Sequence, residues 1–258
     1  MIITPSPFYK RRTYPPGEGM KYEDAPTAWL FERSTTAPDH ITRRCAAAGM
    51  MRALLDTQIE DRNEEPFINS VNWVRDVILA TDQDQPATLP NDRNIADYVF
   101  GLPLVNGQLD TTTMAATLAH KPDAMTEFIN DSILSTDPKL IIGLGNGGIL
   151  SSLATYAALD QKDDAFYPIR FSRHQSKSHD SAPVVADFEK EHIKELAKDR
   201  TVIIHDEDRS TGLTIKYAAE YIARLIQKRT YGITPIDAER KHEFNPSVLG
   251  TNYSETIS

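Results

Sequence analysis

Cysteine is almost absent: the chain of 258 residues has one, Cys45. A single cysteine excludes an intramolecular disulfide and a multi-cysteine zinc site, and it fits a reducing compartment. Its expected role is a small buried side chain on a helix. Long apolar runs are missing too. No uncharged stretch approaches the ~20 residues that a membrane-spanning helix needs, so no membrane partner is expected. The opening MIITPSPFYKRRTYPPGEG has no apolar h-region; it reads as an extended Pro-rich arm rather than a secretory signal, and the expected location is the cytoplasm. Positive charge is in deficit, with 28 Lys and Arg against 37 Asp and Glu and a formal charge of −9. A general nucleic-acid binder needs a broad basic surface, so nucleic acid is not an expected partner either. An anionic ligand must find its positive charge in a local cluster or a metal. H-E-x-x-H, G-x-S-x-G and P-loop motifs do not occur.

What is present is an ordinary globular composition, 40% hydrophobic and 25% charged, in a chain long enough for one large domain or a core with a sizeable extension. Helical periodicity dominates residues 1–124. One helix is expected to start at Asp39-His40-Ile41 and run through RRCAAAGMMRALLDTQI. Another is expected to begin at Pro66-Phe67, with Ile68, Val71, Val74 and Ile78 on one face. The linkers ATDQDQPATLPNDR and GLPLVNGQLD carry the Pro, Gly and Asn that end helices. From Lys139 the rhythm changes. Strand LIIGL, helix GGILSSLATYAAL, strand FYPIRF, helix VADFEKEHIKELAK, strand TVIIH and helix TGLTIKYAAEYIARLIQK follow in order, and RTYGITPID looks strand-like. Alternating strands and helices mean an α/β core of βαβ units, a parallel sheet with helices on both faces. A polar tail, 236–258, follows. Such sheets bind ligands at the carboxyl ends of their strands.

Three loops therefore matter. After the first strand, Gly143, Gly145 and Gly148 spell G-x-G-x-x-G, the spacing of a dinucleotide-binding turn. That reading needs an acid at the end of the next strand, where Ser172-Arg173 stand instead. After the second strand, SRHQSKSHDSAP collects Arg173, His174, Lys177 and His179 with little apolar content to fold it. After the third, DEDRSTG places Asp206 and Glu207 ahead of Ser210-Thr211-Gly212-Leu213-Thr214, which opens a helix. Carboxylates at a strand end accept hydrogen bonds from vicinal hydroxyls or approach a hydrated metal. Hydroxyls and free N–H groups at a helix N-terminus bind phosphate, with Gly212 allowing close approach. Acids beside a phosphate nest suit a sugar phosphate, diol at one end and anion at the other. His205 could line the site or be structural, and His192 is expected to face solvent. Trp29 and Trp73 read as core, and Lys10-Arg11-Arg12 as a solvated patch.

Over Val202 to Thr214 the chain resembles the type I phosphoribosyltransferases, whose signature is an apolar strand, two acids and a Thr-Gly-x-Thr-like turn. It departs from that pattern at Asp208 and Arg209, where small or apolar residues are common, and in the order Asp-Glu of the acid pair. The loop at Phe171, Arg173, Lys177 and His179 also resembles the F-x-R-K-x-x-K-x-H loop of orotate-type members, with His174 replacing one lysine.

The resemblance covers residues 125–235 and implies a doubly wound parallel sheet there. With it comes a transfer of the 5-phosphoribosyl group from phosphoribosyl pyrophosphate (PRPP) to a nitrogen nucleophile, with release of pyrophosphate. It assigns PRPP binding to Asp206, Glu207, Asp208, Arg209, Ser210, Thr211, Gly212, Leu213 and Thr214. Gly145, Asn146, Gly147 and Gly148 become the pyrophosphate loop, and Arg173, Lys177 and His179 the catalytic cations of a mobile lid over 172–183. The implied cofactor is Mg2+, brought by PRPP rather than held by a dedicated protein site, with Asp206 and Glu207 near it. Residues 1–124 would supply the hood over the acceptor. A non-catalytic sensor of PRPP or nucleotides on the same fold is the alternative, and an NAD(P)-dependent oxidoreductase the least favoured one. The expected partners are small molecules; a homodimer is compatible with the sequence.

Overall fold

The computed structural model describes residues 20–21, 27–57, 61–83, 85, 87–102, 108–109, 126, 129–130, 137–145, 148–159, 163–171, 183–206 and 213–233. The chain divides into two compact units, residues 1–57 with 65–116, and residues 58–64 with 117–258.

The first unit is built of helices: α1 (Thr27–Thr36), α2 (His40–Asp56), α3 (Glu64–Asp82) and α4 (Arg93–Phe100). A two-residue antiparallel ladder joins β1 (Met20–Lys21) to β2 (Gln108–Leu109). Asp39 starts α2 by accepting the Thr42 N–H at 2.7 Å, the carboxylate cap that the first turn's unpaired donors favour. The helix stops at Asp56, three residues before the expected Ile59. There Thr57 turns extended and its hydroxyl bonds the Ala53 carbonyl at 3.1 Å. Helix α3 begins two residues earlier than expected, because Pro66 needs no intrahelical donor in the first turn. Its buried face is Phe67, Val71, Val74 and Ile78, with Ile68 only half-buried. Small residues fill α2, Cys45, Ala46, Ala47 and Ala48 all being buried, so α1 packs closely on it. Burial pushes the Cys45 thiol up to about 11, which makes it an inert packing group.

The second unit carries a four-stranded, all-parallel sheet in the order β4-β3-β5-β6. Its strands are β3 (Lys139–Gly145), β4 (Ala165–Arg170), β5 (Thr201–His205) and β6 (Thr230–Ile233). All seven residues of β3 are buried, as a central strand covered on both faces requires. Pro168, which cannot donate to a ladder, sits in β4 at the edge of the described sheet. Three helices cross over: α5 (Gly148–Leu159), α6 (Asp187–Ala197) and α7 (Leu213–Ile226). Helix α5 lies against β3 and β4, whereas α6 packs beside α7. The chain reverses direction across the sheet after β4, so right-handed crossovers put α5 on one face and α6 and α7 on the other. The result is a Rossmann-like, doubly wound α/β arrangement.

Candidate functional site

In a doubly wound sheet the ligand crevice opens where the strand order reverses, outside the carboxyl ends of the strands. Here that point lies between β3 and β5, the neighbours whose connections run off in opposite directions. Four residues expected to act there, Gly145, Gly148, Asp206 and Thr214, have described side-chain environments.

Gly145 is the last residue of β3, and Gly148 the first of α5. A methyl group on Gly148 would stand 3.2 Å from the Asp206 Cα, 3.2 Å from the His205 carbonyl oxygen and 3.3 Å from Asp206 Oδ1. The backbone at Gly148 thus lies close against the acid of the other loop, tighter than a side chain there would ordinarily sit. Asp206 is held from the far side as well, its N–H donating to the Ile233 carbonyl of β6 at 3.3 Å. Thr214 lies in the first turn of α7, where backbone donors are unpaired within the helix. Leu213 is the first residue of that helix. The arrangement brings the N-terminus of α5, at Gly148, against the Asp206 carboxylate at the reversal point. It offers N–H donors for an anion and an acceptor for hydroxyls or for water on a cation.

The glycine spacing has a different basis from a dinucleotide turn. Gly143 is inside β3, paired with Pro168 on one side and His205 on the other. Its missing side chain lets α5 approach the sheet, because a methyl group there would overlap Ser152 Oγ. Only Gly145 and Gly148 belong to the strand-to-helix connection. Asn146 and Gly147 between them lie outside the described residues, as do Arg173, Lys177 and His179 and all of the segment 172–183 expected to be a lid except Pro183. The same is true of Glu207, Asp208, Arg209, Ser210, Thr211 and Gly212.

His205 is structural. It is wholly buried on the α5 face of β5, and burial alone drives its imidazole pKa down to about 3. Nε2 lies 3.3 Å from Thr155 Oγ1, whose own proton goes to the Ser151 carbonyl at 2.9 Å. Nε2 is therefore the protonated nitrogen, and Nδ1 is an acceptor with no partner among the described residues. This neutral imidazole ties β5, which ends in Asp206, to the helix that starts at Gly148. His192 is half-buried rather than facing solvent. Its ring meets Tyr167 edge-on at 5.3 Å, and burial lowers its pKa against the opposing pull of Glu189.

Two buried arginines gave no signal in the sequence. Arg62 pairs with Glu189 while bonding the Val184 carbonyl at 3.3 Å. Glu189 also accepts the Tyr167 hydroxyl at 2.9 Å and the Ala186 N–H at 2.8 Å. Arg170 closes β4, 3% exposed, opposite Gly145 in the ladder. Its carbonyl accepts the Val184 N–H at 2.9 Å, so the chain returns from 172–182 next to where it left. Charged residues this deep in a strand end are rare, and a buried arginine reads in sequence as an exposed one. Among the described residues no group of three or more His, Cys, Asp and Glu is placed to hold a metal, and no helix is long and apolar enough to cross a membrane. No family model matches the chain, and no curated protein or solved structure matches it.

Proposed function

We propose that the second unit binds PRPP with magnesium across the reversal point of its sheet and transfers the phosphoribosyl group to a nitrogen nucleophile. The observation that carries this reading is the closeness of Gly148 to Asp206. Gly148 and Asp206, 58 residues apart in the sequence, meet at the carboxyl end of the sheet, which supports a ligand that carries a diol beside an anion. Asp206, with Glu207, would accept the ribose hydroxyls. The turn from Ser210 to Thr214 would take the 5′-phosphate at the start of α7. The pyrophosphate would lie along Gly145 to Gly148.

Magnesium prefers one or two carboxylates plus phosphate oxygens to an all-protein cage. The donor set fits that preference, with the Asp206 carboxylate able to accept from water on a cation carried by the phosphates. When bound, the cation neutralises charge on the departing pyrophosphate. The chain's own contribution is positioning and charge stabilisation. The C1–O bond to pyrophosphate breaks, the oxygen keeps the electron pair, and the acceptor nitrogen bonds to C1. Lys177 and His179 would meet the leaving group. The dinucleotide reading loses its main support, since Gly143 belongs to the strand.

The test is release of pyrophosphate from PRPP over a panel of nucleobases. We expect release with at least one acceptor. Replacing Asp206 and Glu207 by Asn and Gln should weaken PRPP binding by roughly 3–6 kcal/mol, two hydrogen bonds involving charged groups, with the fold retained. Tight binding without turnover on any acceptor would favour the sensor on the same fold. An unchanged dissociation constant in the double variant would remove the basis for the assignment.

A further inference from the structure

Helix α5 meets β5 at two levels. At its start, a methyl group on Gly148 would stand 3.2 Å from the His205 carbonyl oxygen and 3.3 Å from Asp206 Oδ1. About two turns further along, the His205 imidazole donates from Nε2 to Thr155 Oγ1 across 3.3 Å. Three hydroxyls are buried on this part of α5, those of Ser151, Ser152 and Thr155. All three donate back into their own helix, to the Gly148, Ile149 and Ser151 carbonyls. Thr155 alone also accepts from the sheet. Among the described residues, His205 to Thr155 is the one hydrogen bond between a side chain of α5 and a side chain of the sheet.

The remaining contact is packing, chiefly of apolar side chains. Such packing has no preferred direction, so it holds a helix onto a sheet without fixing how far along a strand the helix stands. A hydrogen bond has a set length and angle. His205 is wholly buried, where no water competes for its proton, and Asp206 follows it directly in the chain. The strand end that carries the acid is thus the one that holds α5. We infer that His205 and Thr155 are positioning residues, whose bond fixes α5 along β5 and so sets the distance from the N–H donors at the start of α5 to the Asp206 carboxylate. Magnesium pyrophosphate would contact both of those groups, so the inference rests on the functional reading above. It adds to that reading the pair that keeps the two sides of the site in register. A misplacement of about 1 Å between such groups is enough to spoil a site.

Titration of the full chain with magnesium pyrophosphate and, separately, with ribose 5-phosphate tests it. The first probe needs α5 and Asp206 together. The second would take its diol to Asp206 and its phosphate to the start of α7, without α5. Thr155→Val keeps the shape and removes the acceptor. It should weaken magnesium pyrophosphate binding about tenfold, the loss of one charge-assisted hydrogen bond, and change ribose 5-phosphate affinity less than about twofold. Partial unfolding scales both affinities alike, so their ratio reports position and not stability. Thr155→Ser, which keeps the oxygen, should bind both probes within about twofold of wild type. The decisive variant combines Thr155→Val with His205→Leu. Removing both partners leaves no orphaned N–H and is close to neutral for folding, so the double variant keeps the fold even where the single one does not. It should show the same selective loss. Wild-type pyrophosphate affinity in the double variant, or equal losses for both probes, would make the bond structural only. A wild-type chain that binds ribose 5-phosphate but not magnesium pyrophosphate overturns this inference alone, whereas one that binds neither overturns the functional reading beneath it.

Discussion

The two units bury different kinds of polar group. Among the described residues of the helical unit the buried polar side chains are all hydroxyls: Thr27, Ser34, Thr57, Ser70 and Thr81. The sheet unit buries Arg62, Arg170, Lys139, Asp164, Glu189 and His205 as well. Ser34, Thr57 and Thr81 donate to carbonyls one turn back, Thr81 to Val77 at 2.8 Å. Thr27 reaches the Val99 carbonyl, and Ser70 Oγ has no partner among the described residues. A neutral hydroxyl is far less costly to bury than a charge. An ionised group out of water needs a built environment. At the amino end of the sheet that environment is local: Asp164 accepts the Lys139 N–H at 2.6 Å, and burial raises the Asp164 pKa against these contacts. At the carboxyl end Arg170 closes β4 opposite Gly145, and Arg62 and Glu189 pair with each other against Tyr167. The difference is one of polar burial: the sheet unit must build environments for ionisable groups, and the helical unit need not.

The largest expected effect is at the Arg62–Glu189 pair. Arg62→Met leaves Glu189 buried with its main cation gone, at a cost of about 3–5 kcal/mol. Thr81→Val, the helical unit's counterpart, should cost only about 1 kcal/mol. Denaturant unfolding of the two variants checks the contrast, and equal costs would erase it. Adding Glu189→Gln to Arg62→Met should restore part of the loss, since no charge then remains buried at that point.

The second effect depends on pH. His205 has a folded-state pKa of about 3, far below the ordinary value of about 6.5, so the unfolded chain binds the proton first. Its contribution to stability is complete above pH 6.5 and is lost progressively as pH falls toward 3. By pH 5 the loss is about 2 kcal/mol. The measurement is the unfolding free energy of wild type and His205→Leu at pH 7 and pH 5. Wild type should lose about 2 kcal/mol more than the variant between those values, and parallel losses would mean that His205 is not buried neutral.

How much of this was legible depends on how local the signal is. Strand β5 was read to the residue because an apolar run is closed by Asp199-Arg200 before it and Asp206 after it. The alternation of strands and helices from Lys139 gave the parallel sheet, since each period is carried within a dozen residues. Helices α1 and α4 leave little trace in the sequence. The latter is eight residues long and lies between two linkers rich in Pro, Asn and Gly, too short to show a period. Asp206 and Gly148 could be named as site residues from strand-end chemistry, but not their contact, which depends on the strand order. Arg62 and Glu189 are 127 positions apart, and nothing local marks either as buried. Helix α6 has Ala186 at its cap, which cannot accept a hydrogen bond from the first turn; Glu189 instead reaches back to the Ala186 N–H, so half of the usual start signal was missing.

The central claim, that the acid and glycine loops hold one sugar pyrophosphate, is tested most directly by calorimetric titration of the full chain with PRPP in magnesium and, separately, with NADP. The account predicts saturable binding of PRPP that is lost with Asp206→Asn and Glu207→Gln, and no response to NADP. Tight NADP binding with no response to PRPP would contradict it.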